Sequence, residues 1–167
     1  KIISNMYLHS SSTLSLNIWY HIAIIRNNNN IKMFINGNID GDFTLNDTNY
    51  SLNNSISGIS IGAQQSQTNY FNGYIDSVKI TNNKSLYTVL PPQNYSVNNN
   101  NNIVLNITSN TTNGDTTFID TSISSHTITV YGNTQHSTTQ LISGSSSMYF
   151  DGSGDYLELS NSDDWNF

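Results

Sequence analysis

Nowhere in this chain do apolar side chains keep the ~3.6-residue spacing of a helix; they come in short runs broken by asparagine, glycine and serine. A chain patterned this way can bury a core only with strands. The stretch WYHIAIIRNNNNIKMFINGNIDG, Trp19 to Gly41, shows how the pattern works. Trp19 to Arg26 has apolar residues on both parities, which predicts a strand covered on both faces. In the next run Ile31, Met33 and Ile35 alternate with Lys32, Phe34 and Asn36, which predicts a strand with one face toward a core. Asparagine tolerates positive φ, so Asn27 to Asn30 suits a hairpin connection, and Asn36-Gly37 is a second turn signal. The stretch reads as a β-meander.

The rest of the chain repeats this grammar. Ser57 to Ala63 alternates, and Tyr70 to Thr81 is a longer strand expected to kink or bulge at Gly73. Ser85 to Leu90 predicts a short helical turn ended by Pro91-Pro92. Asn98 to Asn102 is a polar tract that cannot bury anything and is expected to be a joint between domains. Beyond it, Ile103–Ile107, Thr127–Tyr131, Ser147–Phe150 and Tyr156–Leu159 read as strands, with Asp151 to Asp155 a tight turn between the last two. The class is all-β, with spacings that suggest a sandwich.

Composition narrows the function. Charged residues are only 10% of the chain, and 28 Asn, 25 Ser and 17 Thr take their place, which suits solvent-facing strands and turns. An A/T-rich coding sequence would push toward asparagine and isoleucine as well. A net charge of −6 with five Lys or Arg argues against nucleic acid or an anionic membrane as partner. No run is long enough for a spanning helix. The absence of cysteine excludes disulfides and thiolate metal sites. The first residue is not Met, so the chain is expected to be a processed or excerpted piece.

The Trp19–Gly41 meander, followed by ISIGA and YFNGYIDSVKIT, resembles the C-terminal half of a laminin-G-like, concanavalin A-like jelly-roll domain. HTITVYG and SSSMYFDGSGDYLELSNSDDWNF resemble the N-terminal half of the same family. The resemblance implies an antiparallel jelly-roll sandwich in inverted order: residues 1–97 a C-terminal half, 98–102 an Asn-rich joint, and 103–167 the N-terminal half of a following or permuted sandwich. Such halves are expected to leave a core that a neighbouring copy or the adjoining chain completes by strand addition. Identical units would then meet head to tail.

Candidate sites follow from residue chemistry. The resemblance implies a rim calcium ion, for which Asp151, Asp155 and Asp120 are the candidate ligands, with Asp163 and Asp164 as contributors. DGSG is also a good plain turn, and no cofactor is otherwise required. Glycoside hydrolysis needs paired carboxylates, yet Glu158 is the sole glutamate and its position reads as exposed. His9, His21, His126 and His136 are scattered, with His21 expected half-buried inside the Trp19 strand. Seven sequons, at Asn46, Asn49, Asn53, Asn83, Asn94, Asn106 and Asn110, are candidate glycosylation sites, although chance expects about seven in this composition. Tyr70, Phe71, Tyr74, Tyr149 and Tyr156 are candidates for stacking on sugar rings.

These observations set two expectations. One is a non-enzymatic extracellular structural module, a repeat subunit of a surface fibre, filament or tail-fibre-like appendage on a cell or virion. The other is a carbohydrate-binding, lectin-like adhesion module.

Overall fold

A computed structural model describes residues 8–44, 58–64, 68–82 and 102–165. Among them the structure is all-β, with antiparallel sheets, no α-helix and a 3-10 turn at Asp163–Trp165. The expected turn at Ser85–Leu90 and residues 98–101 of the asparagine tract lie outside the described residues. The chain forms two units, Lys1–Ser51 with Asn83–Asn98, and Leu52–Asn82 with Asn99–Phe167.

The first unit holds a sheet of β1 (Ile22–Asn27), β2 (Asn30–Ile35) and β3 (Asn38–Thr44), paired antiparallel in that order. Both hairpin turns use asparagine at positive φ: Asn28 at 53°, and Asn36 at 50° followed by Gly37 at 81°. Two consecutive positive φ values match the right-handed twist of the flanking strands, which is why Asn-Gly closes this hairpin. The burial of the two apolar runs is the reverse of expectation. β1 is an edge strand on which Ile22 and Ile24 are 53% and 62% exposed, and β2, in the middle, buries Phe34 as well as Ile31, Met33 and Ile35. A run of apolar residues shows that a strand can be covered; its place in the sheet decides whether it is. His21 precedes β1 and is exposed, against the expected half-burial.

The second unit contains β4 (Ile59–Ile61), β5 (Asn72–Ile75), β6 (Ser77–Thr81), β7 (Ile103–Thr108), β8 (Ile128–Tyr131), β9 (Gln135–Ser137), β10 (Ser147–Asp151) and β11 (Tyr156–Leu159). β10 lies between β5 and β9, β11 lies between β4 and β8, and β6 pairs with β7. Strands from both sides of the asparagine tract therefore share sheets. Such pairing is open to distant segments because main-chain hydrogen bonding requires only an extended partner of matching parity.

Alternation builds the core. Met148 and Phe150 of β10, Leu157 and Leu159 of β11, and Leu105 and Ile107 of β7 are fully buried. Ile61, Val104, Phe118 and Trp165 pack with them, and Ile128 and Val130 of β8 lie against the cluster. The long strand expected over 70–81 breaks at Asp76, not at Gly73. The break changes which parity faces inward: Ile75 packs on the core before it, Val78 and Ile80 after it. Asp76 is fixed there because its carboxylate accepts the N–H groups of Ile142 and Ser143, both at 3.3 Å, and the Ser143 hydroxyl at 2.8 Å.

Phe150 fits only because residue 62 is glycine. Gly62 has φ +89°, and a Cβ there would stand 2.4 Å from Cε1 of the Phe150 ring. Gly62→Ala combines that clash with a strained backbone and is expected to cost about 2–4 kcal/mol in urea unfolding. A loss below ~0.5 kcal/mol would show that the ring moves aside freely.

Candidate functional site

A polar constellation of the second unit is centred on Asp120, in the loop between β7 and β8. Asp120 is brought inward by a bridge to Ile107 and is buried. Its Oδ1 accepts the N–H groups of Asn106 and Ser122, each at 2.9 Å. Oδ2 faces the Ser122 hydroxyl, the His126 N–H and His126 Nδ1, again each at 2.9 Å. Burial pushes this carboxyl up, but the donors of Asn106, Ser122 and His126 more than offset it and bring it down to about 2.

His126 extends the constellation to the 3-10 turn. Its Nε2 lies 3.1 Å from Asp164 Oδ2 and 3.4 Å from Ser162 Oγ, and its ring stacks on Trp165 with centroids 4.5 Å apart. Trp165 in turn donates its indole N–H to the Ser160 carbonyl at 3.1 Å. The order Ser162, His126, Asp120 resembles a hydrolytic triad. However, the Asp164 carboxylate stands nearer Nε2 than the serine does, and Ser162 Oγ accepts the Asp164 N–H at 3.2 Å. The geometry ties two segments together and leaves Ser162 engaged in its own turn.

Asp151 and Asp155 are brought together by the turn between β10 and β11. Buried Asp155 accepts the Asp151 N–H at 2.8 Å and, across to the turn after β8, the Asn133 N–H at 2.7 Å. Asp151 accepts the Ser153 N–H at 2.7 Å. Asp120 does not join this pair; its partners are Asn106, Ser122 and His126. Among the described residues, no three His, Asp or Glu side chains gather in a way that could hold a metal ion.

A second histidine is buried among hydroxyls. His136 Nε2 lies 3.0 Å from the Thr117 carbonyl, so that nitrogen carries the proton, and Nδ1 accepts from Ser109 Oγ at 2.5 Å. Ser146 Oγ lies 2.9 Å from Ser109, and the Phe118 ring stacks on His136 at 4.2 Å. The side chains of Ser109, His136 and Ser146 are buried, and they satisfy one another in an internal network.

The aromatic candidates fall into distinct groups. Tyr131 lies flat against Tyr156, centroids 4.2 Å apart and planes at 6°, and is 37% exposed. Its phenol is pushed up by hydrogen bonding to Glu158 and by that residue's charge. Tyr70 tilts toward Tyr156 at 6.4 Å. Tyr74 and Tyr149 pair across β5 and β10 at 5.1 Å, while Phe71 packs edge-on against Phe150. An open cleft of about 410 Å³ runs beside Tyr70, Phe71, Gln64 and Asn69. Tyr131, expected only as the end of a strand, was not among the stacking candidates, although its alternation with Val130 marks it as outward-facing.

Of the sequons, Asn106 lies in β7 and donates its Nδ2 to Thr121 Oγ1 at 2.7 Å. Asn110 accepts the N–H and hydroxyl of Ser145 at 3.0 and 2.9 Å. Asn46, Asn49, Asn53, Asn83 and Asn94 lie outside the described residues.

A family profile described as the concanavalin A-like lectin/glucanases superfamily (Laminin_G_3) matches residues 3–86, a span that takes in the Trp19–Thr81 motifs. No curated protein matches the chain. No solved structure matches it.

Proposed function

Because the chain belongs to the concanavalin A-like lectin/glucanases superfamily, we propose that it is a non-enzymatic extracellular structural module. It serves as a repeat subunit of a surface fibre, filament or tail-fibre-like appendage on a cell or virion, and its copies join by strand addition. The observation that carries this reading is the edge of β1. Asn27 and Asn30 pair at the end of the hairpin, and the Asn36 N–H reaches the His21 carbonyl at 2.8 Å. Alternation along an antiparallel ladder then turns the N–H and C=O groups of Ile22 and Ile24 away from β2. The same two residues expose their side chains. An edge with outward main-chain groups and exposed β-branched residues is suited to a further strand. Pairing within the second unit between strands on either side of the asparagine tract supports the reading, since it too is main-chain contact between distant segments. The charge-poor, amide- and hydroxyl-rich composition fits a partner that is another such module.

Electron microscopy tests the proposal. Concentrated protein is expected to form filaments with a repeat near one domain length, and Ile24→Lys, which places a charge at the joining edge, is expected to abolish them. Dispersed monomers from the unmodified chain at all concentrations would refute it.

A second reading, carbohydrate binding, is favoured by the Tyr131–Tyr156 stack. An exposed ring held rigid by its neighbour, with the Glu158 carboxylate beside it, offers a stacking face and a hydrogen-bond acceptor. Retention of a glycan on an array by dispersed monomers, lost in Tyr131→Ala, would select this reading over the fibre.

A further inference from the structure

Resting on the fibre reading, we infer that β3 is the edge on which β1 of a second copy docks, and that residues 9–12 form a clasp that covers this edge until the copy arrives. Head-to-tail growth needs two different surfaces, since β1 meeting β1 closes a two-fold dimer and stops. The sheet order β1-β2-β3 makes β3 the other edge. The two edges complement each other. β1 carries Arg26 and no acid, whereas β3 carries Asp40 and Asp42 and no base. Asp42 meets Lys32 at 3.5 Å, but both side chains are largely solvated, so that pair leaves the edge acidic and able to orient a basic strand. Apolar groups match as well. Ile22 and Ile24 lie opposite Ile35 and Met33, and Phe43 lies opposite Ile31, so all share one face of the sheet. Phe43 is 42% exposed, and an added β1 would lay its exposed Ile22 and Ile24 beside it.

The clasp is built on Asp40, the extra residue of the bulge in β3, since Met33 pairs with Gly41 and Phe34 with Ile39. Its Oδ2 accepts the Ser11 N–H at 2.8 Å, and its Oδ1 accepts the Ser12 N–H at 3.1 Å. Its main-chain carbonyl accepts the Ser11 hydroxyl. The His9 carbonyl lies beside Gly41, 3.5 Å from where a Cβ would stand. Residues 9–12 thus lie along β3 and occupy a main-chain acceptor that an incoming strand would use. A covered edge resists indiscriminate pairing. This cover is also displaceable. Residues 10–12 are all serine, the contacts are solvent-exposed, and solvated hydrogen bonds contribute little net free energy. A strand that brings a full ladder and buries Phe43 outcompetes them. Growth then has a direction: the open β1 of one copy enters the unclasped β3 of the next.

The test follows filament growth of the full chain by light scattering and electron microscopy. Asp40→Ala, which removes the acceptors of the Ser11 and Ser12 N–H groups, is expected to lower the concentration at which filaments appear about tenfold. Ser11→Ala loses only the hydroxyl contacts and should lower it about threefold, which keeps the test open if Asp40→Ala fails to fold. A locked form comes from Ser11→Cys with Asp40→Cys, at side chains that meet at 3.3 Å in a chain with no other cysteine. Oxidised, it is expected to form no filaments; reduced, it should form them at least as readily as the wild type. Equal growth of the oxidised and reduced forms, or an unchanged threshold in Asp40→Ala and Ser11→Ala, would overturn the clasp and leave the fibre reading standing. Particles that stop at dimers would show β1 pairing with itself and remove β3 as its partner. Monomers from the wild type and every variant at all concentrations would overturn the inference and the fibre reading together.

Discussion

Asp120→Ala is expected to remove about 3–5 kcal/mol of stability at pH 7, because it leaves several buried donors of Asn106, Ser122 and His126 without an acceptor. The same carboxylate sets an acid limb. Its folded-state value of about 2 lies below the unfolded value of 3.8, so the group's contribution is fully present above about pH 4 and is lost as pH falls toward 2. The difference corresponds to roughly 2 kcal/mol. Urea unfolding at pH 6 and at pH 2.5 measures both effects. The wild type should lose more stability than Asp120→Ala between these conditions; equal losses would assign the acid limb to other carboxylates.

Phe150→Ala is the second large effect, about 3–5 kcal/mol, since a fully buried ring lying over Gly62 leaves a cavity that short paired strands cannot collapse around. Its neighbour Tyr149 points to the other face, half-buried against Tyr74, and Tyr149→Ala should cost no more than about 1–2 kcal/mol. The contrast between adjacent residues tests the period-two reading of β10 directly. Comparable losses at the two positions would mean that both faces of this strand are packed to the same degree.

These cases show what is legible in a linear sequence. Asn-Gly at 36–37 announced its turn because the demand for positive φ is met within two residues. Strands β7, β8, β10 and β11 stood close to where alternating apolar residues placed them, since the pleat repeats every two residues whatever lies alongside. The family resemblance drawn on Trp19–Thr81 rested on equally local motifs, and the family match covers that span.

Features that depend on a neighbouring strand or loop left no local mark along the chain. The more continuously apolar run became the exposed edge β1, and the alternating run became the covered β2, because burial depends on sheet order. The break in the long strand fell at Asp76 because the N–H groups that its carboxylate accepts, those of Ile142 and Ser143, sit in a distant loop, beyond any local signal at Gly73. Asp120, His126 and Asp164 were each visible as titratable residues, but no spacing rule joins them.

The sequence by itself determined an all-β chain, its turns and the parity of most strands, since these follow from backbone preferences and side-chain alternation over a few residues. Only the tertiary structure decided which strands are interior, that strands on both sides of the asparagine tract pair with one another, and that His126 stands between two carboxylates. Those outcomes depend on long-range main-chain pairing, which is nearly indifferent to side-chain identity and so leaves little trace in the order of residues.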